Sequence, residues 1–307
     1  MTIRPVGTAA ANNLGSIRNA LTVDVEDYFH VEAFANHIDR NAWDGHEVRV
    51  LDNTRRLLDL FDAHSTHGTF FVLGWVAERY PQLVKDIAQR GHEVACHGWS
   101  HRLIYKQSRD DFFIETRRAK ALLEDQIGAA ILGYRAASYS IVRESLWALD
   151  VLCELGFRYD SSIFPVRHDK YGIPDARTEP HRYRAPGGAD IVEFPLTTKD
   201  IFGYRLPVAG GGYFRLFPYA LTRAALTSIN RREHRPFIFY LHPWEIDPEQ
   251  PQVEAGWFSR FRHYNNLEKC ESRLKRLLHD FQFAPAIEVL STLQLMSESA
   301  LPQARRA

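Results

Sequence analysis

The chain has 307 residues, a length that suits one large α/β domain or two small ones, and its 45% hydrophobic content supports a sizeable core. Lysine plus arginine and aspartate plus glutamate both number 38, so the formal net charge is zero. This balance excludes the net basic field by which many proteins bind nucleic acids or anionic membranes, and we expect no nucleic acid among the partners.

The segment at 1–19 contains small and polar residues and predicts a loose tail. It has no apolar stretch of the length that a signal peptide needs, and no segment of the chain approaches the length of a membrane span. Three cysteines, Cys96, Cys153 and Cys270, lie far apart, and this odd count does not fit a disulfide scaffold. These features predict a cytoplasmic protein and leave the oligomeric state open.

Strand-like and helix-like segments alternate through most of the chain. Short apolar runs predict strands at 20–23, 69–73, 92–96, 157–160, 191–196 and 237–241. Helical spacing predicts helices at 53–64, 81–90, 108–127, 145–155, 219–232 and 267–281. Repeated strand-then-helix units predict a parallel sheet in an α/β fold. Folds of this kind carry their chemistry in the loops after the carboxyl ends of the strands.

Two later segments lack this pattern. The segment at 164–189 is rich in proline, glycine, histidine and arginine, and it predicts a long irregular insertion over the mouth of the site. The glycine-rich segment at 210–215 lacks the lysine and the setting of a nucleotide-binding loop, so it predicts a flexible substrate loop. No repeat or linker is visible, which predicts one domain over 20–296 with a second tail at 297–307.

Two predicted apolar strands each end in side chains that can bind a metal. The first ends in three carboxylates within four positions and the second in two histidines four residues apart; these residues are Asp24, Glu26, Asp27, His97 and His101. Two imidazoles and one carboxylate form a three-ligand site that leaves a coordination position open. An open position is where a metal activates water or polarises a carbonyl, so the motifs predict a metal-dependent hydrolase.

The pattern leaves two choices for the metal carboxylate. Strand alternation puts Asp24 and Glu26 on one face, which favours Glu26 if the strand continues. If the strand ends at Val25, Asp27 turns inward and Glu26 becomes a neighbour of the ligands. Both carboxylates therefore remain candidates.

Five motifs in this order resemble the polysaccharide deacetylase family, carbohydrate esterase family four. They are the acids at 24–27, the histidines at 97–101, GlyTyrArgAlaAlaSerTyrSer at 133–140, TyrAspSerSer at 159–162 and Leu241-His242. The resemblance implies a distorted (β/α) barrel that removes acetyl groups from sugars with a divalent metal, most typically Zn²⁺. The chain departs from the family in having Asp-Val-Glu-Asp instead of adjacent aspartates, and Ala137 where proline is usual.

Three blocks are similar to one branch of this family, the deacetylases associated with exosortase (PEP-CTERM) exopolysaccharide loci. They are ValAspValGluAspTyrPheHisVal at 23–31, GlyGlyGlyTyrPheArg at 210–215 and PheTyrLeuHisProTrpGluIleAsp at 239–247. This resemblance implies a family-specific C-terminal part from about residue 190. It also implies an N-acetylated polysaccharide, or its lipid-linked precursor, as substrate in exopolysaccharide biosynthesis.

The family resemblance implies roles in catalysis for four residues. Asp24 would be the general base, and Arg135 would pair with it and keep it ionised. His242, after the apolar strand at 237–241, would be the general acid that protonates the leaving amine. The backbone N–H of Tyr139 would stabilise the oxyanion of the tetrahedral intermediate.

Further residues are implied in substrate binding. Leu241 and Trp244, with Tyr159, would form an apolar pocket for the acetyl methyl group. Asp160 would brace the acid histidine, and Arg215 would contact sugar hydroxyls or a carboxylate.

Two alternative functions remain to be weighed against a deacetylase. One is a small-molecule amidohydrolase on the same fold, and the other is a non-catalytic glycan-binding module. The presence of both histidines with a full set of acids argues against each.

Overall fold

The computed structural model describes residues 17–168 and 170–296 of the chain. Of the predicted N-terminal tail, residues 1–16 lie outside the described residues, and the first strand already begins at Arg18. The predicted tail at 297–307 lies wholly outside them. Within the described ranges, no helix has both the length and the apolar character needed to cross a bilayer.

A nine-stranded sheet forms the centre of the fold, and two further strands form a separate hairpin. The strands are β1 Arg18–Val25, β2 Thr69–Val72, β3 Glu93–Cys96, β4 Gly133–Tyr134, β5 Tyr159–Asp160, β6 His181–Arg184, β7 Asp190–Glu193, β8 Thr198–Ile201, β9 Tyr204–Pro207, β10 Ile238–Leu241 and β11 Gln282–Ala284. The sheet order is β10-β1-β2-β3-β4-β5-β7-β6, with β11 also paired to β1, and β8 pairs with β9. Every pair in the large sheet is parallel except β6 with β7, which confirms the predicted α/β architecture.

The helices include all six that the periodicity predicts, with ends shifted by at most three residues. In the described ranges they are α1 Val50–Ala63, α2 Gly74–Arg79, α3 Pro81–Gln89, α4 Arg109–Ile127, α5 Trp147–Glu154, α6 Gly211–Leu216, α7 Tyr219–Arg232, α8 Trp257–Tyr264, α9 Leu267–Asp280 and α10 Ala286–Thr292. The four that were not predicted, α2, α6, α8 and α10, have eight residues or fewer. Helical periodicity is weak over so few residues.

The glycine-rich segment at 210–215 differs from its prediction, because most of it lies in helix α6 rather than in a flexible loop. Gly210 has a φ of 134°, and a Cβ atom there would collide with the backbone and ring of Tyr240 in β10. The carbonyl of Ala209 accepts a hydrogen bond from the Tyr240 N–H at 3.1 Å. The glycine therefore permits close backbone contact with the sheet and does not supply mobility.

The segment at 164–189 is partly irregular, as predicted. Its described residues up to position 180 contain neither helix nor strand, but strand β6 begins at His181 and pairs antiparallel with β7. Antiparallel pairing at the edge of a parallel sheet is common in α/β folds. The prediction therefore missed one edge strand inside the insertion.

Alternation along β1 divides its side chains between two layers. Leu21, Val23 and Val25 belong to the main hydrophobic cluster, which also contains buried residues of most of the helices. Thr22 and Asp24 face the opposite side, where a second cluster includes Ala20. The polar residues of the inner face are buried as well, and helix α10 packs on this side of the sheet.

Two fully buried acids stand opposite each other where β5 pairs with β7. Asp160 and Glu193 are partners in the strand register, and neither is exposed. Burial raises the pKa of Asp160 to about 6, and burial together with the charge of Asp160 raises the pKa of Glu193 well above its usual value. A carboxylate can only accept hydrogen bonds, so contact between the two acids favours a proton on one of them.

This pair makes the stability of the fold depend on pH. A folded-state pKa above the unfolded value gives a contribution that is present below about pH 4 and is lost as the pH rises through about 6. Each unit by which the folded-state pKa exceeds the unfolded value adds about 1.4 kcal/mol to this loss. Glu193→Gln should flatten the decline, as measured by urea unfolding at a series of pH values. Equal declines in wild type and variant would contradict a shared proton.

Candidate active site

The carboxyl ends of strands β1, β3 and β10 supply the acids and histidines of the predicted metal cluster and of the base and acid, and Arg135 follows β4. Strands β1 and β10 are neighbours, with Val23 paired to Leu241, and β2 separates β1 from β3. Because these strands are parallel, the residues that follow them emerge at one end of the sheet.

Glu26, His97 and His101 form the one candidate metal cluster found among the described residues. Each offers one ligand atom, these atoms lie within 4.8 Å of one another, and all three residues are buried. The closest approach is 2.7 Å, between Glu26 Oε2 and His101 Nε2, and Glu26 Oε2 has no well-aligned hydrogen-bond donor. Two histidines and a carboxylate aimed at one point fit a divalent cation such as zinc.

The orientation of His97 also fits a ligand. Its Nδ1 lies 2.8 Å from the backbone carbonyl of Arg135. A hydrogen bond from Nδ1–H leaves the lone pair on Nε2, which is the usual arrangement for a metal-binding histidine. His101 reaches the same point because the loop turns sharply, with left-handed φ values of 76° at Gly98 and 49° at His101.

Burial and charge favour the protonation states that a metal site needs. Burial lowers the pKa of His97 to about 4, so this imidazole is neutral at pH 7. Burial raises the pKa of Glu26, but His101 and the neighbouring His242 and His97 more than offset it and hold this pKa well below its usual range. A neutral imidazole and an ionised carboxylate are the forms that bind cations.

The structure separates the two candidate carboxylates. Strand β1 ends at Val25, yet Glu26 turns toward the histidines because its N–H donates to the carbonyl of Asp24 at 3.0 Å. Asp27 instead begins a 3-10 helix, and its two side-chain oxygens accept backbone N–H groups at 2.7–2.9 Å. The rule that a strand ending at Val25 would direct Asp27 inward is therefore wrong.

Asp24 is held by Arg135. The Nη1 of Arg135 donates to Asp24 Oδ1 at 2.7 Å and to Thr22 Oγ1 at 2.8 Å, and its Nη2 donates to Ser161 Oγ at 2.9 Å. Both members of the ion pair are buried, with 2% exposure at Asp24 and none at Arg135. The second oxygen of Asp24 lies 3.8 Å from Nε2 of His242.

His242 is held by Glu245, a residue that the sequence analysis missed. Nδ1 of His242 lies 2.9 Å from Glu245 Oε1, and its backbone N–H donates to the same oxygen at 3.1 Å. Burial lowers the pKa of His242, but Glu245, Glu26 and Asp24 outweigh burial and raise it to about 9. An acid three residues after a histidine, with Pro243 at the start of a 3-10 helix between them, is the signal that could have revealed this pair.

Asp160 and Leu241 do not occupy the places predicted for them. Asp160 accepts hydrogen bonds from the N–H and Oγ of Ser162 and faces Glu193, so it is not the brace of His242. Leu241 belongs to the cluster on the helix side of the sheet, because alternation turns it away from the inner face. The structure therefore does not support an acetyl pocket that contains Leu241.

The aromatic residues predicted beside Leu241 have other neighbours. The ring of Trp244 stacks on His242 at 5.0 Å and on His263 at 4.1 Å, so it lies next to the acid candidate. The hydroxyl of Tyr159 donates to Glu93 at 2.9 Å within the fully buried core. Of the predicted pocket, only Trp244 adjoins the site.

Tyr139 and Arg215 also depart from their predictions. The backbone N–H of Tyr139 donates to the carbonyl of Ala136 at 3.1 Å, so it is not free to bind an oxyanion. Arg215 has only 1% exposure and pairs with Glu245 at 2.7 Å, so it cannot contact a sugar at the surface. The two sequence motifs identified Tyr139 and Arg215 but did not show which way their N–H and side-chain groups point.

A further buried histidine adjoins the cluster and carried no signal in the sequence. Nδ1 of His30 accepts the backbone N–H of Asp27 at 2.8 Å, and its ring lies against Trp43 and Trp75. Burial holds the pKa of His30 well below its usual value, so it is neutral.

Comparison with known families divides the chain into two parts. Residues 43–159 match the polysaccharide deacetylase model, and residues 161–291 match a domain of unknown function, DUF3473. The first match contains His97, His101 and Arg135, and the second contains His242 and Glu245. Asp24 and Glu26 precede both matches.

Curated relatives match part of the chain. A peptidoglycan-N-acetylglucosamine deacetylase from Bacillus cereus is 32% identical over 101 residues, which are 33% of this chain and 37% of the relative. A peptidoglycan deacetylase from Helicobacter pylori is 28% identical over 149 residues, 47% of this chain and 45% of the relative. The chain thus spans less than half the length of these relatives.

A solved structure matches almost the whole chain. A candidate polysaccharide deacetylase from Mycobacterium smegmatis covers 98% of this chain and 97% of its own, with a TM-score of 0.59 and 19% identity. At this identity the match establishes the fold, and it confirms the predicted architecture. Residues 43–159 are thus similar to the polysaccharide deacetylase family, and the chain as a whole has the α/β fold of the matched structure, a distorted barrel.

Proposed function

We propose that this protein is a metal-dependent hydrolase that removes N-acetyl groups from a glycan. The observation that carries the proposal is the placement of Asp24 and His242 beside the cluster of Glu26, His97 and His101. Each has its own buried partner, so a base and an acid candidate stand 3.8 Å apart with fixed orientations. A binding module has no need of two such groups.

Glu26, His97 and His101 would hold the divalent cation, most typically zinc. When bound, such an ion supplies Lewis acidity for water activation and carbonyl polarisation. Two observations support this fit. The three buried ligand atoms lie within 4.8 Å of one another, and the carbonyl of Arg135 orients the ring of His97.

The chain's own residues would handle the protons. Asp24, held in place by Arg135, would accept a proton from the attacking water through the oxygen that Arg135 does not bind. His242 would give a proton from Nε2 to the departing amine, because its Nδ1 is already bonded to Glu245. Amines are poor leaving groups without that proton, which accounts for an acid opposite the base.

The finer parts of the proposal concern substrate and organisation. The names of the curated relatives support an N-acetylated glycan, and the blocks at 23–31 and 239–247 support a polysaccharide or lipid-linked precursor in exopolysaccharide biosynthesis. We also propose that residues 20–296 act as one domain. Strands from both family matches join one sheet, and site residues come from both.

The first prediction separates the two metal carboxylate candidates. Glu26→Gln and His97→Ala should each lose most bound zinc, whereas Asp27→Asn should retain it, because Asp27 binds backbone N–H groups. Elemental analysis of the three purified variants and wild type would measure this. Full zinc in Glu26→Gln together with loss in Asp27→Asn would reverse the assignment.

The second prediction concerns the base. Asp24→Asn should keep zinc content and the unfolding transition but lower turnover of N-acetylglucosamine oligomers by about 10²–10⁴-fold, the usual range for acid–base assistance. Acetate release under steady-state conditions would measure it. Near-normal turnover would remove Asp24 from the mechanism.

The third prediction concerns the acid. His242→Ala should reduce hydrolysis of the amide in N-acetylglucosamine oligomers by about 10²-fold or more, and reduce hydrolysis of an activated aryl acetate far less, since that leaving group needs no proton. Asp24→Asn, the matched control, should impair both substrates. Equal losses in His242→Ala, with zinc retained, would rule out a leaving-group acid.

A further inference from the structure

We propose that Glu245 and Arg215 form a positioning pair that fixes His242 for proton transfer, and that supplying this assembly is a function of the DUF3473 part of the chain. The inference deepens the proposed function and rests on it. All three residues lie within the match at 161–291, for which the comparison gives no function.

Glu245 divides its two oxygens between two partners. Oε1 binds both the ring Nδ1 and the backbone N–H of His242, at 2.9 and 3.1 Å, and Oε2 accepts from Nε of Arg215 at 2.7 Å. The side chain has 1% exposure. A buried carboxylate bonded on both oxygens cannot rotate without losing a charged hydrogen bond, so its position is fixed.

Arg215 is fixed in turn by the backbone at the end of helix α8. Its Nη1 donates to the carbonyls of His263 and Asn265 at 2.8 Å each, and its Nη2 donates to the carbonyl of Arg262 at 3.1 Å. Carbonyls at a helix terminus lack partners within the helix, and a guanidinium complements them in charge and shape. The chain of contacts therefore runs from α8 through Arg215 and Glu245 to His242.

These contacts leave His242 little freedom of orientation. Its ring is bonded at Nδ1, and one face stacks on Trp244 with the planes 18° apart. Nε2 then points to the acids of the site, 3.6 Å from Glu26 and 3.8 Å from Asp24. Displacement of a reacting group by about 1 Å can cost on the order of 10²-fold in rate, so this restraint matters for turnover.

The alternative is that the buried ion pair only stabilises the fold. The chain offers a matched control in Asp247, two residues after Glu245. Asp247 has 3% exposure and accepts a hydrogen bond from Nε of Arg49 at 2.8 Å, so it forms the same kind of ion pair. None of the hydrogen bonds of Asp247 involves His242. Asp247→Asn therefore reports the cost of a broken ion pair in this segment without loss of the restraint.

The test compares Glu245→Gln, Glu245→Asp and Asp247→Asn on both substrates. Glu245→Gln should lower kcat for the N-acetylglucosamine oligomer by about 10–100-fold, the range found when a metal-binding histidine loses its hydrogen-bond partner, with KM changed less than about twofold. Hydrolysis of the aryl acetate should change less than about threefold. Glu245→Asp, which keeps the charge, should recover part of the loss, and Asp247→Asn should show no selective loss on the amide.

A second readout does not depend on activity. The imidazole N–H of His242 that bonds to Glu245 should give a downfield proton resonance, identified by its loss in His242→Ala. It should disappear or move upfield in Glu245→Gln and persist in Asp247→Asn. If Glu245→Gln does not fold, Arg215→Lys is judged by the same criteria. This variant keeps the positive charge but loses the planar guanidinium that binds Glu245 and the backbone carbonyls together.

The outcomes separate this inference from the proposed function. An unchanged kcat ratio between the two substrates in Glu245→Gln, or equal losses in Glu245→Gln and Asp247→Asn, would overturn the positioning role while leaving a deacetylase. Absence of amide hydrolysis in zinc-loaded wild type would overturn the proposed function itself. The resonance would then still show whether Glu245 holds His242.

Discussion

Two buried guanidinium groups hold the candidate site together, and the rest of the architecture serves to bury them with their partners. Arg135 holds Asp24 on one side, and Arg215 holds Glu245 and through it His242 on the other. Leaving a buried charge unpaired costs on the order of 3–5 kcal/mol. Each arginine therefore also donates to backbone carbonyls, which ties the orientation of the site to the path of the main chain.

In the proposed function, a complete site needs residues from both matched parts of the chain. The part at 43–159 supplies His97, His101 and Arg135. Asp24 and His242, the proposed base and acid, lie outside it. The part at 161–291 supplies His242 directly after strand β10, which pairs with β1, so the proposed base and the proposed acid stand at the ends of adjacent parallel strands. A sheet built from both parts is what brings the two groups within 3.8 Å.

The sequence predicted that the acids at 24–27, His97, His101 and His242 converge, but not which way the neighbouring side chains face. Convergence follows from one physical rule, that parallel strands end at the same edge, and the acids and histidines stand at such ends. The direction of a side chain depends on its exact position and on local hydrogen bonds. Leu241 alternates to the helix side of the sheet, and a hydrogen bond from the Glu26 N–H accompanies the turn that directs Glu26, and not Asp27, to the histidines. The Arg215 pair joins residues 30 positions apart and left no periodic signal.

The carboxylate that binds His242 in the structure is not the one that the resemblance implies. The resemblance implied Asp160, on strand β5, but Asp160 is occupied by Ser162 and by the buried Glu193. Glu245 takes that place from three residues after His242, inside one 3-10 turn. Because Glu245 and His242 lie within one short turn, the hydrogen bond from Arg215 to Glu245 also ties this turn to the end of α8. The hydrogen bonds that link His242 to Glu245 and Arg215 thus lie within residues 211–265, away from β5.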